Sequence, residues 1–173
     1  VSMADSMFTF MYWALGAGQV SGQWPRPGGE LVSGGSPRYQ IYRTKDDKFL
    51  ACGPLEQKFW DNFCAVIALE PQFHDDRDWQ ATKAAVAAKI RARTAAQWEA
   101  AFAGKDVCVA VAKSVEEAMR EPQFVARGLF AHKVALEGRE IVATPVPIAP
   151  GFRKAPGAVG YPRLGEANKE LGI

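Results

Sequence analysis

One carboxylate stands apart by its position. Glu56 follows the breaker pair Gly53-Pro54 and then Leu55, at the head of a run in which Leu55, Phe59, Trp60, Phe63 and Ile67 recur at three- and four-residue spacing. That period is one face of an amphipathic helix. A carboxylate there lies near the positive end of the helix, where backbone amides can hold it ionised. The same placement is a common stabilising one at a helix start, so residue type alone leaves Glu56 either structural or available for chemistry. The other reactive residue types are thinly spread. His74 belongs to the acidic connection HDDRD and reads as a solvated loop residue, while His132 sits in a strand-like run and reads as packing. Cys52, Cys64 and Cys108 show no CxxC pair, which argues against a zinc site. Cys64 falls on the apolar helix face and reads as core.

The elements that must position Glu56 begin at Tyr39. Two short alternating runs, 39–43 and 48–52, are joined by a polar turn containing Asp46 and Asp47, which predicts a hairpin. Tyr39 and Tyr42 suit cross-strand packing within it. Farther on, 79–93 reads as a helix burying Trp79, Val86 and Ile90. Thr94 with Gln97, and Ser114 with Glu117, have capping-box spacing and open two more helices. Between them, 107–111 is a short β-rich run. Pro122 restarts a short helix that Gly128 ends, and 129–136 with 139–142 flank Glu137-Gly138 as a second hairpin. Beyond Thr144 the spaced prolines predict an extended tail with little local structure, lying along another domain. At the other end, 2–19 reads as a helix apolar nearly all round, which needs neighbours on several sides. The segment 16–37 is glycine- and proline-rich and reads as a linker. The expectation is an α+β unit of about 110 residues, spanning 36–146, with an arm at each end.

Composition narrows the function classes. At 173 residues the chain can bury a full domain core. Its 21 basic and 19 acidic residues leave a net charge of +2, so electrostatics give no case for nucleic acid or an anionic membrane. No run approaches the ~20 apolar residues that span a bilayer; MFTFMYWALGAG lacks a basic leader and reads as a buried helix rather than a signal segment. An odd number of widely spaced cysteines fits reduced thiols and a cytoplasmic location. The chain opens on Val1 and enters a helix almost at once, so a preceding segment is expected.

Several stretches, in this order, resemble the C-terminal part of the family III CoA-transferases (CaiB/BaiF). They are SPRYQIYRTKDDKFLACGPLEQKFW, the TAAQWEAAF helix, KDVCVAVAKSVEEAMREPQFVARGLF, and the tail from PVPIAPGFRKAP to LGEANKELGI. A glutamate before a phenylalanine, as in Glu56 to Phe59, is more similar to the α-methylacyl-CoA racemase branch than to the transferases. The resemblance implies that 36–146 is the family's small α+β domain, antiparallel hairpins with packed helices. Residues 1–35 would be the outgoing linker and 147–173 the return toward a large, Rossmann-like doubly wound domain outside this sequence. It also implies an acyl-CoA substrate, no cofactor beyond the coenzyme A that the substrate carries, and no metal, nucleic acid or membrane. The partner implied is a second copy in an interlocked dimer, or a complementary large domain.

In racemase relatives a histidine and an aspartate on the large domain remove and replace the proton α to the thioester carbonyl. Neither has a counterpart in this sequence. What corresponds is the supporting wall: Tyr39 and Leu55 match acyl-pocket residues, and Glu56 matches the carboxylate that orients the histidine base. Three functions stay open: a racemase portion inactive by itself, a CoA-transferase moving CoA between carboxylic acids, and a non-catalytic binding or dimerisation module. The family's turn usually carries Asp-Gly where this chain has Asp46-Asp47, so the turn is expected to differ in detail.

Overall fold

The computed structural model describes residues 2–75 and 77–172. The chain divides into two compact units, Val1–Ala112 and Lys113–Ile173. The domain boundaries that the family resemblance leads one to expect lie at 35/36 and 146/147, and the division by compactness lies after Ala112.

The first unit opens with helices α1 (Met3–Phe10) and α2 (Tyr12–Ser21). A single helix was expected over 2–19, but Met11 leaves helical geometry at φ −89° and ψ 16°, its amide shared between the carbonyls of Met7 and Phe8. The expectation of a buried helix is also corrected. No residue of α1 is buried, and in α2 only Ala14 and Gly18 are covered. The ring of Trp24 lies on Gly18 so closely that a Cβ there would stand 2.3 Å from Cε3. Only glycine fits that contact. The following segment is likewise more than a free linker, because Ser36 and Pro37 are buried and Ser36 bridges to Tyr39.

Strands β1 (Gln40–Arg43), β2 (Phe49–Cys52) and β3 (Val109–Val111) form an antiparallel sheet in that order. Tyr42 pairs with Leu50, and Ala51 lies between Ile41 and Ala110. Strand alternation therefore sends Tyr42, Leu50 and Cys52 to the core and leaves Ile41, Phe49 and Ala51 on the outer face.

Three helices cover the inner face: α3 (Gln57–Ile67), α4 (Trp79–Arg91) and α5 (Ala95–Phe102). Their buried positions, Trp60, Phe63, Cys64 and Ile67 on α3, Val86 and Ile90 on α4, and Trp98 and Phe102 on α5, keep helical spacing. Full burial of side chains such as Leu50, Phe63, Val86 and Ile90 contributes roughly 1.5–3 kcal/mol each. The polar atoms carried in with them are paired. Trp60 Nε1 donates to the His74 carbonyl at 2.8 Å, Trp98 Nε1 to that of Ile90 at 2.8 Å, and the Tyr42 hydroxyl to that of Pro37 at 2.7 Å.

The β1–β2 turn is tied to α4 and α5 by its two aspartates. Asp46 accepts from the Thr44 hydroxyl at 2.6 Å and from the Ala95 amide at 2.9 Å, the first amide of α5. It thus adds to the Thr94–Gln97 capping box, which forms as expected. Asp47 takes the left-handed conformation, φ 59°, at a cost of roughly 1–2 kcal/mol for a residue with a Cβ. Its carboxylate accepts from Arg91 Nη1 at 2.7 Å and faces Arg43. The aspartate in place of glycine therefore docks the turn on α4.

The second unit begins with α6 (Val115–Met119), opened by the Ser114–Glu117 capping box, and α7 (Pro122–Ala126). Gly128, at φ 59°, ends α7 by sending the Leu129 amide back to the Phe124 carbonyl. That turn uses the residues expected to begin the next strand, so β4 starts later, at Lys133–Leu136, and pairs with β5 (Arg139–Val142). Glu137 and Gly138 both have positive φ, as a two-residue hairpin turn requires. The tail departs from expectation. β6 (Ala158–Gly160) returns to pair in parallel with β4, and α8 (Asn168–Leu171) follows.

The acidic groups in the first unit set a pH dependence. Hydrogen bonds, from Thr44 and then Ala95 to Asp46, from Arg91 to Asp47, and from Lys89 to Glu70, hold these carboxyls below their ordinary values of 3.8, 3.8 and 4.5. A carboxyl whose folded value is depressed adds stability above its unfolded value and loses it as pH falls through the folded one. The melting temperature of this chain is expected to be level from pH 7 to about pH 5 and to fall below about pH 4. Asp46→Asn should flatten that fall in thermal melts recorded across the range.

Candidate functional site

The candidate site forms where the end of the hairpin meets the start of α3. Tyr39, one residue before β1, sets its ring beside Gly53, just past the end of β2; a Cβ on Gly53 would stand 3.7 Å from Tyr39 Cε2. The Gly53 amide donates to the Cys108 carbonyl at 2.8 Å, and the Leu55 amide returns to the Gly53 carbonyl at 2.8 Å. This tight turn converts strand into helix within four residues and fixes where Leu55 and Glu56 emerge. Leu55 is half-buried and Glu56 exposed.

Glu56 occupies the cap position of α3 with extended backbone, φ −73° and ψ 144°, but its side chain makes no capping hydrogen bond. The backbone amides expected to hold the carboxylate do not engage it. Its main-chain carbonyl accepts from Trp60 N at 3.0 Å, so the backbone serves the helix while the carboxylate remains available to a partner.

Beside this junction a cavity of about 530 Å³ runs along the outer face of the sheet. Tyr39 and Ile41 on the β1 side, Ala51 and Gly53 on the β2 side, and the loop at Val32 and Gly34 form its walls. Tyr39 therefore lies in a concave, mainly apolar surface. Leu55 and Glu56 are not among its walls and adjoin it two and three residues beyond Gly53.

One contributor was not recognised from sequence. Arg38 donates from Nη1 to the Leu55 carbonyl at 3.4 Å and to Gln57 Oε1 at 3.1 Å, with its guanidinium 5.0 Å from the centre of the Trp60 ring. These partners lie 17 to 22 positions away along the chain, and only the folded hairpin brings them together. No local spacing could signal that role.

Of the remaining reactive residue types, His74 and the buried cysteines have structural surroundings, while Cys108 is exposed. His74 Nε2 lies 3.0 Å from the Leu69 carbonyl, and the His74 carbonyl accepts the Trp60 indole. The carbonyl of His132 accepts from Ala143 N at 2.9 Å, between β4 and the end of β5. Cys52 and Cys64 are buried, and burial pushes the Cys52 thiol well above its usual range. Among the described residues no cluster of three or more histidine, cysteine or acidic side chains could hold a metal ion, and no helix is long and apolar enough to cross a membrane.

This α+β architecture, with one antiparallel and one mixed three-stranded sheet, is similar to a crystal structure of Rv3272 from Mycobacterium tuberculosis. The TM-score is 0.60 at 18% identity, over 97% of this chain and 45% of that one. Residues 1–168 match CoA-transferase family III, and the chain belongs to that family. Among curated proteins it is 29% identical to the alpha-methylacyl-CoA racemase of Mus musculus over 159 residues and 28% identical to that of Homo sapiens over 153. Those matches cover 88% and 86% of this chain but 41% and 39% of the relatives. The chain thus spans about two fifths of the racemases it matches. A CaiB/baiF CoA-transferase family protein of Caenorhabditis elegans is 32% identical over 104 residues, 58% of this chain and 29% of that protein.

The geometry separates a cap from an uncommitted carboxylate. Thr94 accepts from the Gln97 amide at 3.3 Å, and its replacement by alanine should cost about 1 kcal/mol. Glu56→Ala should change stability by less than about 0.5 kcal/mol, as measured by urea unfolding of this chain. A loss at Glu56 equal to that at Thr94 would make it a structural carboxylate.

Proposed function

We propose that the protein to which this chain belongs is an acyl-CoA enzyme of the racemase type, moving a proton off and back onto the carbon α to a thioester carbonyl. The chain contributes the wall of the acyl pocket and a supporting carboxylate. The observation that carries this reading is the exposed, uncapped carboxylate of Glu56, adjoining the Tyr39 cavity. The identity to two alpha-methylacyl-CoA racemases supports it.

The chemistry explains why such a carboxylate matters. Inverting a carbon by proton transfer takes two bases, one on each face of a planar enolate, and donors for the charge that develops on the thioester oxygen. In this proposal a large domain supplies a histidine and an aspartate as the bases. Glu56 accepts the N–H of the histidine nitrogen remote from substrate, fixing the tautomer so that the other nitrogen faces the α-proton and raising its basicity. When the histidine takes the proton, the carboxylate faces an imidazolium and stabilises it. Tyr39 and Leu55 hold the acyl group so that the α-carbon lies between the bases. Coenzyme A enters as part of the substrate, and no further cofactor takes part.

A second reading follows from the name of the Caenorhabditis elegans relative. In a CoA-transferase an aspartate on the large domain attacks the thioester, and CoA passes to a second carboxylic acid. The two readings diverge in deuterium oxide. A racemase exchanges the α-hydrogen of its acyl-CoA with no acid acceptor present, and mass spectrometry of the recovered thioester should show one deuterium per molecule. Strict dependence on an acceptor acid favours the transferase. In the complete racemase, Glu56→Gln should leave KM near its original value and slow exchange roughly 10- to 100-fold.

A further inference from the structure

Arg38 links the core to the strand–helix junction through a single side chain. Its guanidinium lies over Trp60, a fully buried ring that is itself held by the His74 carbonyl. From there Nη1 reaches both the Leu55 carbonyl and Gln57 Oε1, the residues on either side of Glu56. Its own backbone is fixed as well, since the Arg38 amide donates to Ser36 Oγ at 3.1 Å and Ser36 bridges to Tyr39. The guanidinium thus ties the chain next to Tyr39, on one arm of the site, to Leu55 and Gln57, the two neighbours of Glu56, on the other. An ammonium group cannot stack on a ring and span two acceptors in the same plane.

We infer that Arg38 is the positioning residue of this site, setting the direction in which Glu56 presents its carboxylate; this rests on the racemase reading above. Arg38 touches no reacting atom. It works by denying the 55–57 turn the freedom that an exposed loop end has, so that the carboxylate meets its partner without first being ordered.

Two measurements test this. In this chain, Arg38→Met keeps an apolar stem against Trp60 but removes the donors; amide hydrogen exchange at Leu55 should speed up at least tenfold while the amides of α4 keep their protection. Unchanged protection at Leu55 overturns the proposal. In the complete enzyme, Arg38→Met should lower kcat for α-deuterium exchange about tenfold with KM within about twofold, Arg38→Lys should fall between the two, and Arg38→Met with Glu56→Gln should be no slower than Glu56→Gln alone. Should Arg38→Met prevent folding, Gln57→Ala removes one acceptor while sparing Trp60, and should give a smaller loss of kcat in the same direction. Full kcat in a folded Arg38 variant, in Gln57→Ala when no Arg38 variant folds, or losses that multiply in the double variant, overturn the proposal while Glu56→Gln is still slow. A parent enzyme that exchanges nothing without an acceptor acid, or a Glu56→Gln variant at full rate, overturns the racemase reading itself and this proposal with it.

Discussion

Four aromatic rings running from α3 to α5 hold the first unit together. Trp60 stacks on Phe63 with centroids 5.7 Å apart, Phe63 on Phe102 at 5.9 Å, and Phe102 on Trp98 at 5.5 Å. Aromatic contacts of this kind contribute roughly 0.5–1.5 kcal/mol each beyond the area they bury. The row is also oriented. Each indole N–H is committed to a backbone carbonyl, and each terminal ring carries a guanidinium over its face, Arg38 on Trp60 and Arg93 on Trp98 at 4.8 Å. A buried tryptophan whose N–H lacked a partner would forfeit much of what its ring contributes, so the two carbonyls fix the row in place. The α3 end of this row carries the candidate site, because Trp60 stands one turn beyond Glu56 and receives Arg38.

Features that depend on neighbours in sequence were legible in advance. Both capping boxes, both hairpins and the buried stripe of α3 follow from spacings of two to four residues, and local geometry settles them. Features that depend on distant partners were not. Asp46 reaches an amide 49 positions away, and Arg38 acts across the closed hairpin. The return of β6 to β4 was hidden because a three-residue strand, Ala158–Gly160, carries no periodic signal of its own. The break at Met11 was hidden too, since an apolar run in which every residue suits a helix gives no mark of where the helix ends.

The candidate site drew on the family resemblance more than on spacing. Tyr39, Leu55 and Glu56 were picked out by the family resemblance, and the fold places all three around one strand–helix turn. The cavity takes Tyr39 but not the other two. Ile41 and Ala51, which line it with Tyr39, lie in the alternating runs of the hairpin, where nothing in their residue type marks a pocket. What makes that face concave is the loop at Val32 and Gly34, part of a segment that composition marks only as a linker.

The helix starts of this chain bear on what Glu56 is for. Ser2, Asp78, Thr94 and Ser114 each accept a hydrogen bond from an amide of the helix they open, and their short side chains are suited to reach it. Helix α3 supplies four residues to the core and so has as much need of a firm start, yet it begins on glutamate; α7 does too, but the carboxylate of its uncapped Glu121 pairs with Lys113. The extra methylene carries that carboxylate past the amides of its own first turn. An unused, solvent-exposed carboxylate at a helix start retains only a screened interaction with the helix dipole, near the lower end of about 0.3–1 kcal/mol, which any of the four cap residues used elsewhere would exceed. Stability therefore does not select glutamate at this position. A longer acidic side chain, held outward by a rigid turn and unpaired with its own backbone, suits a group whose hydrogen-bond partner lies outside the helix.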